Sequence, residues 1–505
     1  MRVIAGARVW TVVRAAVVGL AAVTWAGCGG GGADAGAVSP RFMPLAAAVE
    51  AERLSLGAPG VAVAVVEKGE VTFAKGFGSK DPTAPAAAPV EPTTLFRIGS
   101  TQKSLTAIAL LQNVQADTVD LDQPIVDYLP GFHLTLTPDP VGAITARQLL
   151  THTSGVHDYL EIAAPADETT DAALAGFLTG RYADIGYVQS PPGAFFAYSN
   201  PGYMLAGLLA ETVTGVPYRT VMHDRVLAPL GMNRTVFLPS EVIADGDYAL
   251  GQTCDPAADA SCTNPAGIGP VVRPGSYDNP WGRPAGYAWS SVLDMAKLAT
   301  FLVHGDDQVL ARDLATAMTS PQVPMPETGG LSSYGFGVVT SPGIALASPQ
   351  GQVSYYALTM IGHDGALPGY SANMSCLPQV DFCFITLASG DNAFFIQSLV
   401  TAIETLVDLP TPSTPPDVGP RLDRLDAYVG SYDDPFALGT VQITRTGDSL
   451  SAFVPSLDPV NPIPLTATTV DNFAAADGTP VTFIPDASGT YKYVYSRPYV
   501  AVRTP

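Results

Sequence analysis

The chain has 505 residues, 47% of them hydrophobic, with 25 Lys+Arg against 46 Asp+Glu and a formal charge of −21. That length and apolar content support a large core divided among about two to four domains. A chain this acidic, with no basic run, is excluded from wrapping nucleic acid through phosphate contacts, and its acidity reads as solubility.

Arg2, Arg8 and Arg14 precede an apolar run from Ala15 to Ala26 that ends in Gly27–Cys28. A basic start, a short apolar run and a small residue before the cut predict a secretory signal over residues 1–27. The run is shorter than the ~20 apolar residues a membrane-spanning helix needs. "WAGC" followed by "GGGGADAGA" resembles a bacterial lipobox with a tether over 28–41, with Trp25 where leucine is usual. The expectation is lipidation at Cys28 and an exported, lipid-anchored protein of the periplasm or cell envelope. The plainer alternative is an ordinary signal peptide with a chance cysteine.

"GVAVAVVEKGEVTFAKGFG" (60–78) is two β-rich runs around "EKGE", a hairpin signal, and residues 79–95 are a Pro/Ala-rich loop. From Ser100, the positions of Leu105, Ile108, Leu111 and Val114 follow helical spacing. "ITARQLLTHTSGV" (144–156) reads as a short helix entering a turn. "YSNPGYMLAGLLAETVTG" (198–215) reads as a helix capped by Asn200, with Pro201 in its first turn and Gly215 at its end. "SSVLDMAKLATFLVHG" (290–305) is another helix. Strands follow in "SYGFGVV", "GQVSYYALTMIGHDG", "YSANMSCL" and "FCFITLAS", then a helix over 394–409 that covers the sheet. "PTPSTPPDVGP" (410–420) is a linker, and 421–505 alternates like a small all-β module.

Besides Cys28, the cysteines form two sequence-local pairs, Cys254/Cys262 and Cys376/Cys383. An oxidising compartment lets both bridge. Cys376 and Cys383 flank "LPQVDF", the turn of a hairpin, and neither pair has zinc-ligand spacing. His152 and His157 are five apart, whereas the helical zinc motif needs four plus a glutamate, so no metal is expected.

Three short motifs carry chemistry. Ser100 and Lys103, three apart on a helix, face one another, and a serine hydroxyl needs such a neighbouring base to become a nucleophile. The plain reading is a helix-capping serine with a solvated lysine. In "YSN", the Tyr198 phenol can share a proton with a lysine and Asn200 can orient a carbonyl. Aromatic packing and helix capping are the plain alternatives. In "GHDGALPGY", Gly365 lets backbone approach a ligand, and the N–H groups of Ala366 and Ser100 would form an oxyanion hole. The plain reading there is a polar turn.

In this order, and with the fillers "LFRIGSTQKSLTAIALLQ", "VDLDQPIVDYLP", "ITARQLLTHTSGV", "PPGAFFAYSNPGYMLAGLLAETVTG" and "AGYAWSSVLDMAKLATFL" between them, the motifs resemble the serine β-lactamase and penicillin-binding superfamily. The match is to its class C β-lactamase-like branch, which also holds D,D-carboxypeptidases, D-amino acid amidases and esterases. The resemblance implies a mixed α/β (α+β) fold over residues 42–409, an antiparallel sheet flanked by helices with a helical subdomain at about 104–290. A lipocalin-like β domain would follow at 421–505. It implies Ser100 as the acylated nucleophile, Lys103 as its base partner, Tyr198 as general base or proton relay, and Asn200, His363, Gly365 and Ala366 as substrate-binding groups. No cofactor is implied, and the partner is a small-molecule or peptide substrate. His363 and Asp364 depart from the family's Lys-Thr-Gly, which helps hold a substrate carboxylate. The expected function is an exported serine hydrolase acting on an ester, amide, peptide or β-lactam carbonyl. The alternative is a penicillin-binding or peptidoglycan-sensing protein that acylates or binds without efficient turnover.

Overall fold

Alternating side chains in "GVAVAVVE" build the centre of the fold. In the computed structural model, which describes residues 38–84, 88–158, 169–254, 268–347 and 351–505, this segment is the strand Gly60–Glu67. Val61, Val63 and Val65 join one apolar cluster with Leu45 and Val49 of the helix Met43–Ser55 and with Leu399, Ala402 and Ile403 of the helix Ile396–Leu406. Ala62, Ala64 and Val66 join the other, with Met295, Leu298 and Ala299 of the helix Val292–His304. Successive side chains of a strand point to opposite faces, and here helices cover both, so the strand reads as an unbroken apolar run.

The sheet has eight strands in the order Glu70–Gly78, Gly60–Glu67, Phe382–Ala388, Tyr370–Leu377, Met360–Leu367, Val339–Ser341, Ser333–Tyr334 and Val323–Pro324, all antiparallel. Two expected strands divide. "SYGFGVV" is broken at Gly337, whose φ is +75° and whose Cβ, if present, would sit 2.7 Å from the Lys103 carbonyl oxygen. "GQVSYYALTMIGHDG" splits into Val353–Tyr356, which pairs with Ile344–Ala347 outside the sheet, and Met360–Leu367. Cys376 lies opposite Cys383 in the register of adjacent strands, and the two are disulfide-bonded. Cys28, Cys262 and the signal segment lie outside the described residues.

The helix Lys103–Gln115 packs against Asn200–Thr214. Residues 103–111 are all buried, so this helix runs through the interior and not along a surface. Asn200 is not the cap of its helix. Ser199 is, its hydroxyl accepting the Gly202 N–H at 3.1 Å, and Gly215 closes the far end at φ +71°.

Residues 430–503 form a closed barrel of eight strands, the first pairing with the last through Tyr432 and Arg503. Closure leaves no open edge. Its interior holds Tyr432, Ile443, Leu450, Phe473 and Phe483. The proline-rich connection is pinned at both ends, by Ser413 N–H to Tyr355 O at 2.7 Å and by Val470 N–H to Val418 O at 2.8 Å.

Candidate active site

The site forms where three chain segments meet at the end of the sheet. Gly99 adopts φ +51°, and a Cβ there would lie 2.5 Å from the Ala366 nitrogen. The chain then makes the 3-10 turn Gly99–Gln102 and enters the helix Lys103–Gln115, which sets Lys103 Nζ 3.1 Å from Ser100 Oγ. Lys103 has no exposed surface. Nζ also donates to Asn200 Oδ1 at 2.8 Å and to Ala285 O at 2.7 Å. Burial, reinforced by the positive charge of Arg497, pushes the amine well below the ordinary lysine range. A neutral amine has two N–H groups and one lone pair. In that neutral form, with both N–H groups given to these two acceptors, the lone pair is what Nζ has left for the Ser100 hydroxyl.

Tyr198 and Asn200 arrive at the start of the helix Asn200–Thr214. The Asn200 N–H donates to Asp158 Oδ1 at 2.8 Å, and its side-chain oxygen is held by Lys103. Its amide nitrogen is thereby left as a donor not used by Lys103. The Tyr198 phenol is in hydrogen-bonding contact with Ser100, while burial drives its proton affinity up. Under it lies His152, stacked at 4.1 Å and 27°. His152 is buried at φ +56°, accepts the Ser199 N–H at Nδ1 (3.0 Å), and is held neutral mainly by desolvation. A non-glycine residue in that backbone region costs on the order of 1–3 kcal/mol, consistent with a position set by its surroundings. His157 is elsewhere, stacked on Tyr187 at 4.3 Å, so the two histidines do not share a site.

The third segment is the strand Met360–Leu367, which runs on through the motif instead of ending there. Its neighbour Val339–Ser341 pairs only as far as Gly362, leaving residues 363–367 on an open edge. The hairpin turn has two residues, so Leu367 and Tyr370 share the ladder bonds and Ala366 aims its N–H outward. That direction is the Gly99–Ser100 backbone. Gly365 is required for the approach: a Cβ there would be 2.0 Å from Ile98 O and 3.0 Å from the Ser100 nitrogen. The Ser100 and Ala366 nitrogens are thereby brought close together, each a backbone donor.

His363 is 5% exposed. Its Nδ1 lies 2.6 Å from Asp364 O, an atom that can only accept, so Nδ1 carries the proton and Nε2 accepts from the Tyr334 hydroxyl at 2.9 Å. Burial pushes the imidazole down to about 3, so it is neutral. Asp364 is bonded through Oδ1 to the Asn373 side chain on the adjacent strand.

Four groups at the site were not foreseen from sequence: Asp158, His152 in this role, Tyr334, and Arg497 from the barrel. The Arg497 guanidinium carbon lies 4.2 Å from the Tyr198 ring centroid, and Nη2 is 2.7 Å from Asp158 Oδ2. "SRPY" reads as an ordinary turn and carries no signal of this.

Residues 45–400 match the Beta-lactamase family model. The chain is 25% identical over 398 residues to Protein flp of Staphylococcus aureus (strain MW2), covering 76% of this chain and 68% of that protein. Its fold is similar to the octameric penicillin-binding protein homologue of Pyrococcus abyssi (TM-score 0.58, 23% identity, 91% of this chain and 99% of that one). It is also similar to D-amino acid amidase of Ochrobactrum anthropi SV3 (TM-score 0.58, 24% identity, 73% and 99%). With a family match over most of its length and this antiparallel sheet flanked by helices, the chain belongs to the Beta-lactamase family.

Proposed function

We propose that the protein is a serine hydrolase that forms an acyl-enzyme at Ser100. The observation that carries this reading is the buried Lys103 amine, whose Nζ lies 3.1 Å from Ser100 Oγ and is held by Asn200 Oδ1 and Ala285 O. As Oγ attacks a carbonyl carbon, its proton passes to Lys103 and the new oxyanion sits between the N–H groups of Ser100 and Ala366. The Tyr198 phenol, kept protonated by burial, gives its proton to the departing nitrogen or oxygen and is refilled from Lys103. Water then attacks the acyl carbonyl, releasing the acid and restoring the Ser100 hydroxyl.

Neutral His363 adds no cation for a substrate carboxylate, and Arg497 is paired with Asp158. Esters and amides, peptides included, therefore suit the site better than β-lactams. The test is a panel of a nitrophenyl ester, an amino acid amide, a D-Ala-D-Ala peptide and a fluorescent penicillin, with fluorophosphonate labelling. The reading is overturned if Ser100 takes no label and no turnover is lost in Ser100→Ala. A stoichiometric burst with no steady state would favour the non-hydrolytic alternative. We further propose export and anchoring through Cys28, supported by Arg2, Arg8, Arg14, the apolar run and "WAGC". Retention of Cys28→Ser in the membrane fraction would overturn the anchor.

A further inference from the structure

The segment that delivers Tyr198 is held by the barrel as much as by its own domain. Phe195 and Ala197 pack in one apolar cluster with Ile484, Tyr493, Tyr495 and Val500 on the outer face of the barrel. Val494, between Tyr493 and Tyr495, and Ala501, next to Val500, face the barrel interior, as strand alternation requires. The Tyr198 N–H donates to the Tyr495 hydroxyl at 3.3 Å. From the same hairpin, Tyr491–Ser496 and Tyr499–Arg503, the two-residue turn projects Arg497 into the site.

Arg497 is 22% exposed, while the Asp158 side chain is fully buried. Arg497 Nε donates to Asp158 Oδ2 at 2.8 Å, and the other carboxylate oxygen accepts the Asn200 N–H. One guanidinium thus reaches both ends of "YSN": the Tyr198 ring directly and the Asn200 backbone through Asp158. His152 is centred 4.1 Å from the Tyr198 centroid and Arg497 4.2 Å from it. Both groups therefore pack directly against the phenol ring. A guanidinium keeps its charge at all working pH and is attracted to an aromatic face.

The groups facing Lys103 come from every surrounding element. Ser100 lies on its own turn, and Tyr198, Asn200 and Tyr203 on the partner helix and its approach. His152 and Asp158 come from the preceding loop, Tyr334 and His363 from the sheet, and Arg497 from the barrel. Asp364 acts on Tyr198. Around Lys103 in this set, the carboxylates are Asp158 and Asp364 and the guanidinium is that of Arg497.

We propose that the barrel is part of the catalytic apparatus and that Arg497 is a positioning residue, holding the Tyr198 ring and the Asn200 backbone and biasing the Ser100–Lys103 pair toward its reactive state. This rests on the acyl-enzyme reading at Ser100. The positive charge of Arg497 opposes protonation of Lys103, and Asp158 favours it. Losing Arg497 while keeping Asp158 therefore makes the amine harder to deprotonate.

The test uses the full chain as wild type, Arg497→Gln, Arg497→Lys and the double variant Arg497→Gln/Asp158→Asn. The rate of fluorophosphonate labelling at Ser100 is followed from pH 5 to 10, with thermal unfolding of each protein. Arg497→Gln is expected to label at least ten-fold more slowly at neutral pH, with the acid limb of the rate moved to higher pH by half a unit or more. Arg497→Lys should keep the limb near wild type. The double variant should bring it part of the way back, because the opposing carboxylate charge is gone. If Arg497→Gln fails to fold, the other two variants carry the same comparison. A uniform loss of rate with the limb unmoved, or no loss, overturns the proposal and leaves Ser100 as the nucleophile. No labelling of the wild type overturns the acyl-enzyme reading and this proposal with it.

Discussion

Replacing Lys103 with methionine is expected to stabilise the protein while removing its catalysis. Burial pushes the folded amine well below its ordinary range, and each pH unit of such a shift costs the folded protein about 1.4 kcal/mol at a pH below that range. Methionine fills a similar volume with no charge to desolvate. Against that gain stand the hydrogen bonds to Asn200 Oδ1 and Ala285 O, about 1 kcal/mol each or somewhat more because both acceptors are left without the amine. The net expected at pH 7.5 is a stabilisation, because a shift of about two units already offsets both hydrogen bonds. The pH dependence is the sharper signature. Burial pushes the folded amine well below the usual lysine range, so between its folded and unfolded pKa values the unfolded chain holds one more proton. Stability from this residue is full above the unfolded pKa and is lost as pH falls toward the folded one, at about 1.4 kcal/mol per pH unit. Methionine removes that slope. Urea unfolding at pH 7, 8 and 9 measures both quantities, and turnover should fall by about 10²–10⁴ with loss of the base. A variant less stable than wild type at pH 7, with the same pH slope, would refute the reasoning: Lys103 would then be an ammonium donating to Ser100.

Gly365→Ala places a Cβ 2.0 Å from Ile98 O, displacing the segment that carries one oxyanion donor; turnover should fall by about 10²–10³ with the circular dichroism spectrum unchanged. His363, pushed down to about 3 when folded and near 6.5 when unfolded, makes stability fall as pH drops through that window. His363→Gln should therefore shift the acid-unfolding midpoint to lower pH, and an unchanged acid curve would count against a neutral imidazole. The disulfide Cys376–Cys383 closes a loop of separation 7, so changing both to serine should cost about 2.5 kcal/mol by loop entropy. A urea midpoint equal to that of wild type would show that the hairpin holds without it.

Much of the architecture was legible because it depends on local geometry. The period-two run at 60–67 and the helical spacing after Ser100 mark their elements, and Gly215 at φ +71° marks a helix end in the way glycine usually does. The cap was misassigned by one residue because serine and asparagine are equally good caps. What decided it was through-space: Asn200 is occupied by Lys103 and Asp158, leaving Ser199 to the helix. The break at Gly337 was missed because its cause is the Lys103 carbonyl, far away in sequence.

The sequence by itself determined the residue types that carry the chemistry: a serine three before a lysine, a tyrosine and asparagine at a helix start, and glycines where backbones must touch. Those are matters of covalent identity and short-range backbone geometry. Only the tertiary structure decided their state. Lys103 is shifted toward its neutral form because the fold buries it, with Asn200, Ala285 and Arg497 around it. Arg497 meets Asp158 across 339 residues of chain only because a barrel docks against the site. Charge and proton affinity follow distance and burial in space, and neither can be read from order along the chain.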